Sequence, residues 1–391
     1  MKLKLKNTPE QVELVKAMGS KDPSVAREAQ EAFASFLGPV IQKVLLTAGT
    51  ASNIFVDSQF DEDDSPSYPL DLYYGEGEGY VTVWSQHMAG GLPTSQVEGM
   101  KEVKIATYRL DSAVSFNKRY ARRARLDVIS KAIERMANEV LIKQERNAWA
   151  VVMKALADAE TNSLKHVARA ASTGDFGLAD LNKMMTLNKR LNESYSGMTP
   201  IAPYSNGITD LYVSPEIMEK VRAFAYNPIN TSGIGNRGVS GAEISHDQTL
   251  SDNIREDIYR SAGMQSIYGV NLVELVEFGV SKKYNKLFAE LAITSATDNL
   301  EAITDDVDAA SGTTAWDSDN HQILVGVDNT RGAFIRPVAR QHDSGGDGTF
   351  RALPDEQFNM YGSRVEKTGF YGFLEEGRIC IDARAILGLI V

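Results

Sequence analysis

The residue types that could do chemistry are spread thinly along this chain. Gly233-Ile234-Gly235-Asn236-Arg237-Gly238 fits G-x-G-x-x-G, a pattern that cradles a dinucleotide only when a strand precedes it and a helix follows. Here Asn227-Pro228-Ile229-Asn230 precedes it and Val239-Ser240-Gly241 follows, so the stretch reads as a surface loop. Gly75-Glu76-Gly77-Glu78-Gly79 lacks the lysine and hydroxyl of a phosphate loop, and its acids would repel phosphate; it reads as a hinge. His87, His166, His246, His321 and His342 show no H-E-x-x-H or other paired ligand spacing. Asp61-Glu62-Asp63-Asp64 and the group Asp305, Asp306 and Asp308 could gather calcium, but neither has the spacing of a calcium-binding loop. Solvated acidic loops are the commoner outcome. Ser240 misses the G-x-S-x-G nucleophile pattern. Cys380 is the one cysteine, so no intrachain disulfide can form, and between Ile379 and Ile381 it reads as a small buried hydrophobe. These residues assemble no active site, and we expect no enzyme, cofactor or metal.

Charge is distributed unevenly. The net charge is −11, which implies no general nucleic-acid or anionic-membrane partner. From Val44 to Met100 there are nine acids and no Lys or Arg. From Lys101 to Arg125 the balance inverts, with eight cations against Glu102 and Asp111. The dense part, Lys118, Arg119, Arg122, Arg123 and Arg125, contains one aromatic, Tyr120. It is the best nucleic-acid candidate in the chain, but ion pairing within or between subunits is the preferred reading. No apolar run reaches the roughly 18 residues of a membrane span, and the Lys-rich N-terminus lacks the apolar stretch of a signal peptide.

The elements that must position these residues are easier to read. No Gly or Pro occurs between Gly99 and Gly174. Leu126 to Ala159 has helical spacing at Leu126, Ile129, Ile133, Met136 and Val140, then Ala148, Val151 and Ala155. Gln144, Glu145, Arg146 and Asn147 interrupt the stripe, so the helix is expected to change neighbours along its length. Thr8-Pro9 opens a short helix that stops at Gly19; Asp22-Pro23 opens a second, with Gly38-Pro39 as its expected stop. Tyr80 to Trp84 alternates as a strand, and a second extended run covers Val103, Ile105, Tyr108, Leu110, Val114 and Phe116, with a Gly/Pro/Ser stretch between them at 89–99. We read these as a long two-stranded ribbon. An isolated hairpin is marginal in water, so the ribbon needs a partner.

Later signals are a helix over Leu178–Leu191, a strand at Asp210–Val213, and Ser214-Pro215 as cap and first turn of a helix through Val221. A turn glycine sits in Ile267–Val273, and strands are read at Ile323–Val327 and Ala333–Ile335. The chain ends on an apolar run through Val391 that is expected to be buried.

This order of pieces resembles the major capsid proteins of tailed bacteriophages, with the Hong Kong 97-type fold. The resemblance runs from about Leu72 onward. It lies in the ribbon, the long helix, the Leu211–Val221 strand and helix, and the closing stretch Arg378 to Leu389. It implies an α+β fold: an N-terminal arm (1–70), an extended E-loop ribbon (71–117), a peripheral domain with the spine helix (118–176 and 343–383), and an α/β axial domain (177–342 and 384–391). It implies a structural protein that self-assembles as hexamers and pentamers into an icosahedral shell around double-stranded DNA. Such a protein would lie in the virion after assembly in the host cytoplasm. Portal, scaffold or decoration proteins are further candidate partners; contact with DNA would be weak, and no membrane partner is expected. Candidate subunit-interface residues are Asp61, Glu62, Asp63, Asp64, Trp84, Lys101, Lys104, Lys118, Arg119, Arg122, Arg123 and Arg125. Some members of this fold cross-link Lys to Asn between subunits, but no Asn or Glu partner matches here, so that chemistry is not carried over. No long scaffolding segment precedes the ribbon, so scaffolding is expected from another chain. An encapsulin-like shell around a cargo enzyme is the alternative; an enzyme using the Gly233–Gly241 loop is the remaining competitor.

Overall fold

The computed structural model describes residues 8–47, 49–61, 64–69, 102–161, 164–170, 174, 176–191, 207–223, 266–295, 319–340, 350–355 and 367–391. The architecture is α+β, in two units. The first takes Met1–Asp71, Gly99–Ala148 and Phe334–Ile379; the second takes Leu72–Glu98, Trp149–Ala333 and Cys380–Val391.

In the first unit, α1 (Pro9–Met18) starts as its sequence dictates, with extended Thr8 before Pro9 at the first position. The Thr8 carbonyl accepts from Val12 N–H at 3.0 Å, and the helix ends at Gly19. Helix α2 (Pro23–Thr47) corrects the expected stop, because it runs on through Gly38 and Pro39. Proline inside a helix removes one backbone bond and crowds the preceding turn. Burial holds the helix through this point: Phe33, Leu37 and Ile41 are at most 2% exposed, in a core with Phe116, Phe350 and Phe370. A Cβ on Gly38 would come within 3.4 Å of the Phe350 carbonyl, so this stretch of helix lies close to the backbone beside it.

Strands β1 (Val56–Asp61), β2 (Ser67–Pro69), β3 (Glu102–Lys104) and β4 (Tyr108–Asn117) follow. The second extended run is therefore divided. Its first part, β3, pairs antiparallel with β2. Its second part, β4, pairs along its whole length with β14 (Lys367–Glu376), from Asn117 opposite Lys367 to Tyr108 opposite Glu376. A strand 250 residues later in the chain thus claims what reads locally as a ribbon limb. Tyr80–Trp84 lies outside the described residues. The sheet carries β1-β12-β14-β13 in order, with β4 on β14; β12 is Phe334–Arg340 and β13 is Arg351–Asp355. The β1–β12 pairing is parallel.

Helix α3 (Lys118–Arg122) leads to α4 (Leu126–Asp158), a helix of 33 residues. Its first stretch buries Ile129, Ile133, Met136 and Val140. Beyond that, every fourth residue stays buried: Gln144, Ala148, Val152 and Leu156. Steps of four residues overshoot a full turn by about 40°, so the buried face winds around the helix. Val151 and Ala155, expected on the stripe, are only half-buried; Trp149, Val152, Met153 and Leu156 take their place.

The second unit begins in that last stretch. After it come β5 (Glu160–Thr161), β6 (Leu164–Lys165), β7 (Val167–Arg169), α5 (Leu178–Leu191), β8 (Asp210–Val213) and α6 (Pro215–Ala223). The Ser214 hydroxyl accepts from Ile217 N–H at 3.2 Å, so the cap read from the sequence is made. Then follow β9 (Ser266–Ile267), β10 (Val270–Glu274), α7 (Lys283–Ser295), β11 (Ile323–Val327) and β16 (Ile386–Ile390); the intervening β15 (Ile379–Cys380) pairs with β12 in the sheet of the first unit. Tyr268 and Gly269, both with positive φ (52° and 83°), form the two-residue turn between β9 and β10. The sheet order is β7-β16-β11-β8-β10-β9, with parallel pairs β7–β16 and β8–β10. Leu181, Met184, Leu211, Val213, Ile217, Leu387 and Leu389 share its core. Val391 is 1% exposed and exchanges backbone bonds with Gln322 at 2.9 and 3.0 Å, so the expected burial of the C-terminal residue holds.

Candidate functional site

The cation run is built on α3. Asn117 caps it, its side-chain oxygen accepting from Arg119 N–H at 2.9 Å. Its end is a left-handed turn: Ala124 has φ 49°, Arg125 N–H donates to the Tyr120 carbonyl at 3.0 Å, and Ala124 N–H to the Ala121 carbonyl at 2.9 Å. That is the Schellman pattern, with alanine where glycine is usual. Lys118 is half-buried, and Arg119, Arg123 and Arg125 are exposed. Arg122 differs from them. Its Nε donates to the Gly19 carbonyl at 2.8 Å, placing a cation on the C-terminal end of α1, where the helix dipole favours one. The structure therefore places Lys118 to Arg125 on one short helix and the turn that ends it, and gives Arg122 a role in the fold.

The other predicted residues are less concentrated. Asp61 closes β1 opposite Arg340 and is exposed, as is Asp64. Lys104 is exposed on β3 opposite Ser67. Glu62, Asp63, Trp84 and Lys101 lie outside the described residues, as do Gly75–Gly79, Gly233–Gly241, Asp305, Asp306, Asp308, His87, His246 and His342.

His166 is fully buried, and its Nδ1 lies 2.8 Å from the Ala383 carbonyl and 3.1 Å from that of Ile386. Both neighbours are acceptors, so Nδ1 carries the proton and the ring ties β16 in place. His321 is buried, and its backbone carbonyl accepts from the Asn285 amide at 2.7 Å. Burial, with Asp382 beside it, pushes the Cys380 thiol up to about 12, so it stays protonated and unreactive at neutral pH. Among the described residues, no three His, Cys, Asp or Glu side chains are placed to hold a metal, and no helix is long and apolar enough to cross a membrane.

The main polar centres escape a reading by periodicity. In the first unit, Glu376 is 0% exposed. It accepts from Tyr108 OH at 2.8 Å, Gln144 Nε2 at 3.0 Å and the Arg378 guanidinium at 3.2 Å. That guanidinium also lies 4.9 Å from the centre of the Phe55 ring. Burial and then the Glu376 charge push the Tyr108 hydroxyl up to about 12. Glu145, next along α4, accepts from Thr50 Oγ1 at 2.8 Å and from Ala51 N–H at 3.3 Å. Asp57 holds Arg336 through two parallel bonds of 2.6 Å across the β1–β12 pair. In the second unit, Asp382 caps the turn at Ala383–Ala385 and accepts from Arg384 at 2.9 Å and Arg331 at 3.0 Å. The available signal was a charge beside an apolar run, as Glu375-Glu376 after Phe373-Leu374 and Asp382 after Ile381. Each of these carboxylates is held by partners from distant parts of the chain or from the adjoining turn, so they organise the fold.

No protein-family model matches the sequence, and no curated relative matches it. Among solved structures, the chain is similar to a capsid structure of the cyanophage P-SCSP1u (13% identity, TM-score 0.41, covering 86% of each chain). It is also similar to the mature capsid of bacteriophage PhiM1 (10% identity, TM-score 0.44, covering 87% of this chain and 86% of that one). A third likeness is to the holo-SrpI encapsulin complex from Synechococcus elongatus PCC 7942 (9% identity, TM-score 0.38, covering 74% and 75%). At these scores the functional reading rests on the chain's own elements.

Proposed function

We propose that this chain is a shell-forming major capsid protein of the Hong Kong 97 type. In this reading it assembles as hexamers and pentamers into an icosahedral head around double-stranded DNA. The observation that carries the reading is the antiparallel pairing of Ser67–Pro69 with Glu102–Lys104, which brings together the two ends of the segment read from the sequence as the ribbon. A two-stranded ribbon is marginal by itself, and in this reading a neighbouring copy supports it. The second supporting feature is the 33-residue helix, whose first stretch joins the core of the first unit and whose Trp149 packs against Tyr212 and Phe278; the spine helix takes this place in the reading. The first unit then corresponds to the peripheral domain with the N-terminal arm, and the second to the axial domain.

The exposed cations Arg119, Arg123 and Arg125 act in this reading as a contact surface for the acidic segment of another copy. Charge complementarity of this kind sets register and encounter more than affinity. The acidic chain as a whole would leave packaged DNA loosely held, since cationic contacts dominate such binding.

Negative-stain electron microscopy with sedimentation tests the proposal. Closed polyhedral shells, or rings of five and six, are expected. Uniform small particles in every condition, with phage partners co-expressed, would refute it. Nucleic acid inside the shell separates a virion head from an encapsulin-like compartment, whose shell would instead retain a cargo protein.

A further inference from the structure

The most solvent-exposed large apolar side chain in the described residues is Val276, at 74%. It sits in the short connection between β10 and α7, and Val280, at 40%, lies four residues on. Lone exposed valines need no explanation. This connection, however, is rigidly built.

Phe278, between the two valines, is 0% exposed. Its ring meets Trp149 edge-on at 5.2 Å and lies 5.6 Å from Tyr284. Trp149 is itself held by Tyr212 at 5.0 Å. The backbone is tied at both ends: Leu275 N–H donates to Val213 at 2.9 Å, Phe278 N–H to Leu275 at 3.1 Å, and Lys282 N–H to Gly279 at 3.1 Å. Gly279 and Ser281 both take positive φ, 124° and 58°. The serine is a strained choice there, secured by its hydroxyl bond to Asp319 at 2.7 Å. Strain of this kind persists only where surrounding contacts over-determine it. The connection thus holds two valines in water at fixed positions, with little ordering cost left for a binding partner.

Its flanks indicate the partner. Glu274 and Glu277 precede or lie within the loop; Lys282, Lys283 and Lys286 follow it. All five are exposed, and none makes an ion pair among the described residues. An apolar pair between an acidic and a basic flank is complementary to the same segment on another copy, acid to base.

We propose that Glu274–Lys286 is a two-fold contact between copies of this chain. Val276 and Val280 form its dry centre, and the acidic flank of each copy faces the basic flank of the other. A contact that uses the same patch on both copies is isologous, and it would join two subunits of neighbouring rings rather than close a ring. The inference rests on the self-assembly reading and deepens it by naming a surface.

The test measures the assembled fraction by sedimentation velocity, with thermal melting of each variant's subunit as a folding control. Val276→Asp is expected to lower assembly about tenfold, as are E274K/E277K and K282E/K283E. The four-residue charge swap that combines the last two is expected to restore it, because acid again faces base. Melting should be unchanged in the charge variants, whose side chains contact nothing that stabilises the subunit. If Val276→Asp also lowers melting, Val276→Thr and the charge swap decide the matter. Variants that assemble like the parent, or a charge swap that fails to restore assembly, overturn the contact and leave the shell reading standing. A parent that never assembles overturns both.

Discussion

Gln144, in the middle of α4, donates its side-chain amide to Glu376 at the end of β14 at 3.0 Å, 232 positions further along the sequence. Both are buried, at 3% and 0% exposure. The bond joins helix to sheet inside the first unit and explains why the apolar stripe breaks where it does. Gln144→Ala removes a donor from a buried carboxylate and should cost about 1–3 kcal/mol, read as a lower midpoint in chemical denaturation.

The Glu376–Arg378 pair should cost more to halve than to replace whole. The two side chains are 0% and 3% exposed, 3.2 Å apart. Arg378→Met strands a buried carboxylate and should cost about 3–5 kcal/mol. The double change E376L/R378M should recover only part of that loss, because Tyr108 and Gln144 lose their acceptor. A double-mutant cycle in which the two single losses simply add would show that the pair does not act as a unit.

Alkaline stability should carry the signature of Tyr108. Its hydroxyl is raised from near 10 to about 12, first by burial and then by Glu376. Between these values the unfolded chain releases the proton while the native chain keeps it. The unfolded state then binds fewer protons, so stability falls as pH rises. With screening by partial exposure, the loss is about 1–2 kcal/mol. Tyr108→Phe should abolish this share of the fall, measured as the difference in melting between the two proteins at about pH 9 and about pH 11.5.

Ala124→Gly should stabilise the first unit. At φ 49° an L-residue pays for the left-handed conformation, about 1 kcal/mol relative to glycine. The Schellman bonds of Ala124 and Arg125 are kept. A melting temperature that fails to rise would indicate that the alanine methyl contributes packing that offsets its strain.

The cations of α3 and the turn after it should divide into two classes. Arg122→Glu breaks the 2.8 Å bond to the Gly19 carbonyl and sets a negative charge at a helix C-terminus, so it should lower subunit melting. Exposed Arg123 and Arg125 changed together to Glu should leave melting unchanged and reduce assembly. Unchanged assembly with lost DNA binding would instead identify this surface as a nucleic-acid contact.

The elements that the chain declares for itself are those whose signals fit within a few residues. Thr8-Pro9 and Gly19 bound α1, helical spacing marks α4, and Ser214-Pro215 starts α6; each is found where its local chemistry places it. What could not be read locally is what depends on partners far along the chain. Gly38-Pro39 is a helix stop by local preference, yet burial of Leu37 and Ile41 carries α2 through it. The run at 108–116 is an extended strand in either setting, and only Lys367–Glu376 decides that it joins a sheet. Gln144 and Glu145 look alike as interruptions of a stripe, but one binds a buried carboxylate and the other caps the turn at Ala51. Period and capping are properties of neighbours within about one helical turn, whereas pairing and burial belong to residues brought together by folding. The sequence by itself therefore determined where helices and strands lie, and the tertiary structure decided which side of each is buried and which buried charges meet.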